Sequence, residues 1–182
     1  MRAQTKPVQF PYIVSHRDVK HPRLEFRTGT LLVVLPKGQD ETRVLKKHRQ
    51  WIERKYQFIH DAIDLSATIT LESRTKEGFR TQVQEIIGIY SQELGCAPDR
   101  VVIKKMCSKW ASCSKNRALT INSLGQYLPD MLVEYIVFHE MVHLINRNHD
   151  QHFWKCINNK FKDSEDIERN LCVFWFQVQK IE

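Results

Sequence analysis

Apolar and polar residues follow two different patterns in the first third of the chain. Within residues 12–36, RLEFR and TLLVVLP flank Thr28 and Gly29, which predicts two strands joined by a tight hairpin turn. From Asp40 to about residue 63 the apolar positions recur at helical spacing. This pattern predicts a long helix that Asp40 caps and that has one apolar and one basic face.

The rest of the chain alternates between helical and strand-like patterns. A second helix is predicted from about residue 75 to residue 94, because Gly95 suits a left-handed helix end and Pro98 prevents continuation. VVIKKMC and ALTINS predict strands, separated by a predicted loop with the sequence SKWASCSKNR. Three further helices are predicted at about residues 129–146, 152–161 and 164–179. Early strands with helices around and after them indicate an α+β fold.

The length of 182 residues allows one core with an accessory lobe. We predict a β-rich N-terminal lobe with a long helix over residues 1–72 and a second domain over residues 73–182. The sequence begins without the apolar run of a signal peptide and contains no stretch apolar enough to span a membrane. These features favour a cytoplasmic protein, and the five cysteines, which form no CxxC pair, are then expected to be free thiols.

The formal net charge of +7 admits several partners, among them nucleic acid, an anionic membrane and a phosphate-bearing substrate. Basic residues on solvated helix faces, as in RVLKKHRQWIERK, give the same charge without any partner. Charge alone therefore does not identify a ligand.

The third predicted helix, PDMLVEYIVFHEMVHLI, contains three acidic residues in an otherwise apolar stretch. Asp130 and Glu134 are four residues apart and share one face. His139 and His143 lie on the opposite face, and Glu140 is next to them. A buried carboxylate costs several kcal/mol unless it is compensated. A divalent cation would provide that compensation.

The spacing supports this interpretation, because His139 and His143 lie one helical turn apart and can bind the same ion. Glu140 can instead contact a water molecule on the metal, as in the H-E-x-x-H motif of zinc peptidases. We therefore predict one zinc ion with an open position for water and Glu140 as the general base.

His149 is the predicted third ligand, which requires the chain to turn back after the helix. Asn146 and Asn148 fit such a turn, because asparagine tolerates the left-handed conformation. Three other side chains remain open as additional or alternative groups at the site: His152, Glu165 and Glu168.

Residues 109–154, KWASCSKNRALTINSLGQYLPDMLVEYIVFHEMVHLINRNHDQHFW, resemble the YgjP-like metallopeptidase-domain family, which is similar to SprT-like proteins. The resemblance implies a zincin-like catalytic domain. The residues that fall on the family's pattern are Trp110, Ser112, Cys113, Ser114, Asn122, Pro129, Tyr135, His139, Glu140, His143, His149, Phe153 and Trp154.

The resemblance also places the strand ALTIN beside the active-site helix, with an exposed edge that an extended peptide can pair with. It implies that small residues of the SCS loop line the cleft. The candidate substrate-binding residues are Ser112, Cys113, Ala118, Thr120 and Asn122.

Three functions agree with these features, and a zinc-dependent peptidase is the leading hypothesis. The first alternative is a metal-dependent nucleoside triphosphate pyrophosphatase, in which basic residues near the cleft strand hold the triphosphate. Those residues are Lys104, Lys105, Lys109, Lys115 and Arg117. The second alternative is a basic nucleic-acid-binding module with a structural zinc ion.

Overall fold

The computed structural model describes residues 10–27 and 29–181. The chain divides into two compact units, Met1–Ala67 and Thr68–Glu182, called here the N-terminal and C-terminal units. Whether these units are the two functional domains expected from the sequence stays a prediction.

The N-terminal unit is a three-stranded sheet with one long helix. Its elements are β1 (Tyr12–Arg17), β2 (Arg23–Arg27), β3 (Thr30–Pro36) and α1 (Thr42–Ser66). The central strand β3 is parallel to β1 and antiparallel to β2. The helix packs its apolar stripe on the sheet, and the buried cluster consists of Leu31, Val33, Leu35, Val44 and Ile52.

The predicted hairpin is confirmed by the antiparallel pairing of β2 with β3. Gly29 has a φ of 84°, a left-handed conformation that favours glycine, whereas Thr28 lies outside the described residues. The expected cap is displaced by one residue: Glu41 is the N-cap residue of α1 and makes no side-chain capping hydrogen bond, whereas Asp40 before it accepts a hydrogen bond from the backbone N–H of Thr42 at 3.2 Å.

The C-terminal unit contains a second three-stranded sheet and four α-helices in the described part of the chain. Its elements are α2 (Lys76–Leu94), β4 (Arg100–Lys104), β5 (Ala111–Cys113), β6 (Ala118–Asn122), a short 3-10 helix (Ser123–Tyr127), α3 (Asp130–Val142), α4 (Gln151–Lys160) and α5 (Ser164–Val178). The central strand β6 is parallel to β4 and antiparallel to β5. Helices α2, α3, α4 and α5 all contribute to one buried core.

Local sequence signals explain the boundaries of α2. The side chain of Thr75 accepts a hydrogen bond from the backbone N–H of Gly78, and Gly95 ends the helix in the left-handed conformation with a φ of 65°. The expected α+β fold with a small mixed sheet is confirmed. No helix among the described residues is both long enough and apolar enough to cross a bilayer.

Two expectations about the second sheet are wrong. The segment expected to be only a loop contains β5, because Ala111–Cys113 pairs with β6. As a result β6 is paired on both sides, and the free edge that the sequence predicted for ALTIN belongs to β5 instead.

Candidate metal centre

Helix α3 places the histidines and the glutamate at its carboxyl end. His139 and Glu140 lie in its last turn, and His143 is the residue that caps it. The helix is apolar on most of its surface because it packs against β5, α2, α4 and α5. Glu140 is consequently a carboxylate in the core, with only 9% of its surface exposed.

His139, His143 and His149, the histidine cluster, converge on one point. The nitrogen atoms that they offer lie within 4.8 Å of one another. The Nε2 atoms of His139 and His149 are 3.0 Å apart. The Nδ1–H of His143 donates to the carbonyl oxygen of Asn146 at 3.0 Å, which leaves its Nε2 free to point into the cluster.

The turn between His143 and His149 is built by side-chain hydrogen bonds. The side chain of Asn146 donates to Asp150 at 2.7 Å and accepts from the backbone N–H of Asn148 at 3.2 Å. Among the described residues other than glycine, only Arg117 has a positive φ, so the expected left-handed asparagines are wrong. The helix also ends at Val142, before the predicted residue 146.

Asp150 and Phe153 fix the position of His149 from the following helix. The Asp150 carboxylate accepts hydrogen bonds from the backbone N–H groups of His152 and Phe153 and so caps α4. The fully buried ring of Phe153 contacts all three imidazoles, with centroid distances of 4.8 Å to His139, 4.7 Å to His143 and 4.5 Å to His149. Phe153 is therefore the apolar floor of the histidine cluster.

Burial shifts the pKa values of several groups at this site, and the largest shifts are those of Glu140 and His139. It raises the pKa of Glu140 from 4.5 to about 7, although the backbone N–H of Cys113 and the charge of Lys109 act in the opposite direction. Burial, together with the neighbouring His143 and His149, lowers the pKa of His139 from 6.5 to about 3. His139 is therefore neutral at physiological pH and offers a nitrogen lone pair.

Strand β5 forms one wall of the cleft over the histidine cluster. The cleft has a volume of about 270 Å³ and is lined by Lys109, Ala111, Ser112, Cys113, His139, Glu140, His143, Arg147 and His149. Arg147 donates to the carbonyl oxygens of Ser114 at 2.5 Å and Lys115 at 2.9 Å, so it fixes the turn after β5. Sequence reasoning missed Arg147, although its position between the two asparagines before His149 could have indicated it.

A second, more apolar cavity of about 300 Å³ also contains His139 and Glu140 in its wall. Trp110, Ile136 and Leu171 supply much of its apolar surface. Glu168 lies at its rim, where it accepts a hydrogen bond from the Tyr135 hydroxyl at 2.9 Å. Glu168 is thus near the site but outside the histidine cluster, and its expected alternative role as a ligand gains no support.

The candidate substrate-binding residues separate into two groups. Ser112 and Cys113 line the cleft, whereas Ala118, Thr120 and Asn122 do not. The Asn122 side chain is buried and bonds to the backbone of Met106, Lys109 and Leu124, which indicates a structural role. Among the described residues, His152 and Glu165 are not part of the histidine cluster.

The donor set of the cluster fits a divalent cation that prefers nitrogen ligands. Three imidazoles converge within one coordination sphere, and His139 stays neutral because it is buried. Zinc in catalytic sites is commonly held by three protein ligands of this kind, with a further position left for water or substrate.

The C-terminal unit therefore combines three converging histidines with a buried glutamate beside strand β5. The family model described as the YgjP-like, metallopeptidase domain matches residues 66–172. Because this match covers more than half of the chain, the chain belongs to that family, as the sequence resemblance implied.

Two solved structures resemble part of the chain. One is the metallopeptidase zymogen of abylysin from Pyrococcus abyssi, with 23% identity over 49% of this chain and 90% of that chain and a TM-score of 0.45. The other is the metallopeptidase zymogen of jannalysin from Methanocaldococcus jannaschii, with 27% identity over 55% of this chain and 97% of that chain and a TM-score of 0.44. No curated protein matches the chain.

Proposed function

We propose that this protein is a zinc-dependent peptidase in which the histidine cluster binds the ion and Glu140 is the general base. The observation that carries the proposal is a buried carboxylate next to three converging imidazoles, at the free edge of a strand. The family membership supports the same class of activity.

The chemistry needs a Lewis acid and a group that moves a proton. His139, His143 and His149 would hold a zinc ion, which would supply the Lewis acid that polarises a carbonyl group and acidifies water. A carboxylate oxygen of Glu140 accepts a proton from the attacking water and delivers it to the leaving amine. In the metal-free protein, burial raises the pKa of Glu140 toward neutrality, so this carboxylate is a stronger proton acceptor than an exposed one.

The substrate proposal rests on the position of β5. Its other edge is paired with β6, and the wall that it forms in the cleft faces the histidine cluster. Extended peptides bind to exposed strand edges through main-chain hydrogen bonds. A peptide aligned along Ser112 and Cys113 would therefore bring a backbone carbonyl to the site.

The decisive experiment compares the wild type with Glu140→Gln on an unfolded protein such as casein, together with metal analysis. We expect the variant to retain zinc and to lose activity by about 10²–10⁴-fold, because the ligands remain and the proton acceptor does not. Glu165→Gln, which neutralises an exposed carboxylate on α5, is the matched control and should leave activity unchanged. Full activity of Glu140→Gln would contradict the proposal.

The same preparations should be incubated with the four nucleoside triphosphates to test the pyrophosphatase alternative. Of the five basic residues proposed to hold a triphosphate, only Lys109 lines the cleft, so the structure offers this alternative little support. Release of pyrophosphate without cleavage of unfolded protein would replace the peptidase assignment.

A further inference from the structure

The positive charge of the chain is concentrated in the N-terminal unit. Residues 1–67 contain 13 of the 28 Lys and Arg residues but only 7 of the 21 Asp and Glu residues, so they have a formal charge of +6. Residues 68–182 have a formal charge of only +1. The family model begins at residue 66, so this basic segment precedes the matched metallopeptidase domain.

A cleft of about 620 Å³ lies between the N-terminal part of α1 and the region of β2 in this unit. It is lined by His21, Pro22, Leu24, Gln39, Arg43, Val44, Lys47, His48 and Trp51, none of which is acidic. Arg43, Lys47 and Trp51 are spaced four residues apart, so they follow one another along a single face of α1. We call this surface the α1 cleft.

The two cations of the α1 cleft are available to a ligand. Within the described part of the chain, no carboxylate forms an ion pair with Arg43 or Lys47. Elsewhere on the same helix, Arg49 is paired with Glu53 at 2.8 Å. Two acidic residues precede the helix: Asp40 accepts hydrogen bonds from the backbone and side chain of Thr42, and Glu41 is the N-cap residue.

Trp51 adds an aromatic surface to these charges. Its ring packs against Phe26, with a centroid distance of 6.1 Å and an interplanar angle of 50°, while 41% of the residue stays exposed. A large aromatic side chain that is anchored on one side and open on the other can stack with a planar base. Basic residues on a solvated helix face would explain the charge of this surface, but they would not explain an exposed tryptophan in the same cleft.

We infer that the α1 cleft binds single-stranded nucleic acid, with phosphates contacting Arg43 and Lys47 and an unpaired base stacking on Trp51. A basic groove combined with an aromatic stacking surface is the arrangement by which proteins bind single strands without sequence preference. Base stacking requires an unpaired base, so a duplex should bind more weakly. This property is independent of peptide hydrolysis and uses residues outside the histidine cluster.

The test measures binding of the full-length protein to fluorescein-labelled dT12 and rU12 by fluorescence anisotropy, at several salt concentrations. We expect Arg43→Glu/Lys47→Glu to lower affinity at least tenfold at low salt. The slope of log affinity against log salt should decrease by about 1.4, because two phosphate contacts are lost and each single-strand contact contributes about 0.7. Lys46→Glu/Lys55→Glu is the control, since it makes the same charge change on exposed residues of α1 outside the cleft.

Trp51 provides a second, independent variant. Trp51→Ala should weaken binding about fivefold or more, and Trp51→Phe should restore most of the affinity because it keeps an aromatic ring. Circular dichroism and thermal unfolding of each variant confirm that the N-terminal unit is folded.

Three outcomes would overturn the inference. They are equal losses in the cleft and control pairs, a preference for duplex over single strands, and binding of mononucleotides without binding of oligonucleotides. Because the assay contains no peptide substrate, its result does not depend on whether the proposed peptidase activity is correct.

Discussion

Glu140 combines deep burial with a position one residue from a predicted metal ligand. Its sequence position in H-E-x-x-H predicts a general base, but the motif alone does not reveal how its acidity is set. In the structure, burial raises its pKa to about 7, while the backbone N–H of Cys113 partly offsets this effect. Ionisation of Glu140 therefore lowers the free energy of unfolding of the metal-free protein.

This cost predicts how stability depends on pH in metal-free protein. The folded-state pKa of Glu140 is raised from 4.5 to about 7. The contribution of its protonated carboxyl group to the free energy of unfolding is therefore fully present below pH 4.5 and is lost as pH rises to about 7. Glu140→Gln has no such loss. Above pH 7 the variant should therefore exceed the wild type in free energy of unfolding by roughly 3 kcal/mol, a difference that disappears near pH 4.

Chemical denaturation in the presence of a chelator measures this difference at each pH. Comparing two variants at the same pH cancels the contribution of His139, whose lowered pKa acts in the opposite direction. Glu165→Gln serves as the charge-matched control on an exposed helix face. A difference between wild type and Glu140→Gln that is constant from pH 4 to pH 8 would show that burial does not set the acidity of Glu140.

At the scale of elements, the sequence predicted the regular parts well. Apolar periodicity predicted α1, α2, α4 and α5, α3 is an almost wholly apolar run, and α2 also carries its end signals in Thr75 and Gly95. Strand β5 could not be predicted, because three residues are too few to show the alternation of apolar and polar positions that indicates a strand. The substrate-facing edge was consequently assigned to the wrong strand.

The sequence predicted where the turn before α4 lies, but it did not predict which contacts form the turn. Its spacing required the chain to reverse before His149, yet Asp150 and Asn146 produce the reversal through side-chain hydrogen bonds. Local side-chain bonds of this kind compete with regular structure and leave no periodic signal.

The role of Asp150 predicts a selective effect on metal affinity. Asp150→Ala removes both the cap of α4 and the partner of Asn146, so His149 loses its fixed position. We expect zinc affinity to fall about tenfold, as is typical when groups that orient a ligand are removed. Competition with a chromophoric chelator measures this change.

Asp163→Ala is the matched control for this prediction. Asp163 precedes α5 in the same way, but its side chain makes no capping hydrogen bond. Zinc affinity in this variant should equal that of the wild type, and an equal loss in both variants would contradict the proposed role of Asp150.

At the scale of the whole molecule, the two units have separate cores and different charges. The C-terminal unit has its own buried core and contains the complete histidine cluster. The N-terminal unit buries a smaller cluster between α1 and its sheet and carries most of the formal charge.

This separation predicts that residues 68–182 form a folded fragment. We expect it to unfold cooperatively, to bind one equivalent of zinc and to lack affinity for dT12, because the α1 cleft is absent. Circular dichroism, metal analysis and anisotropy provide the three measurements. A fragment that binds dT12 as tightly as the full chain would place the nucleic-acid site outside the α1 cleft.

The position of Phe153 also limits the sides from which a ligand can reach the histidine cluster. Its fully buried ring contacts all three imidazoles, so it covers the side of the histidine cluster that faces the core. The opposite side, where β5 forms a wall of the cleft and His149 is exposed, is open to an ion, a chelator or a substrate. A ligand bound along β5 would cover part of this open side and so slow the loss of a bound ion.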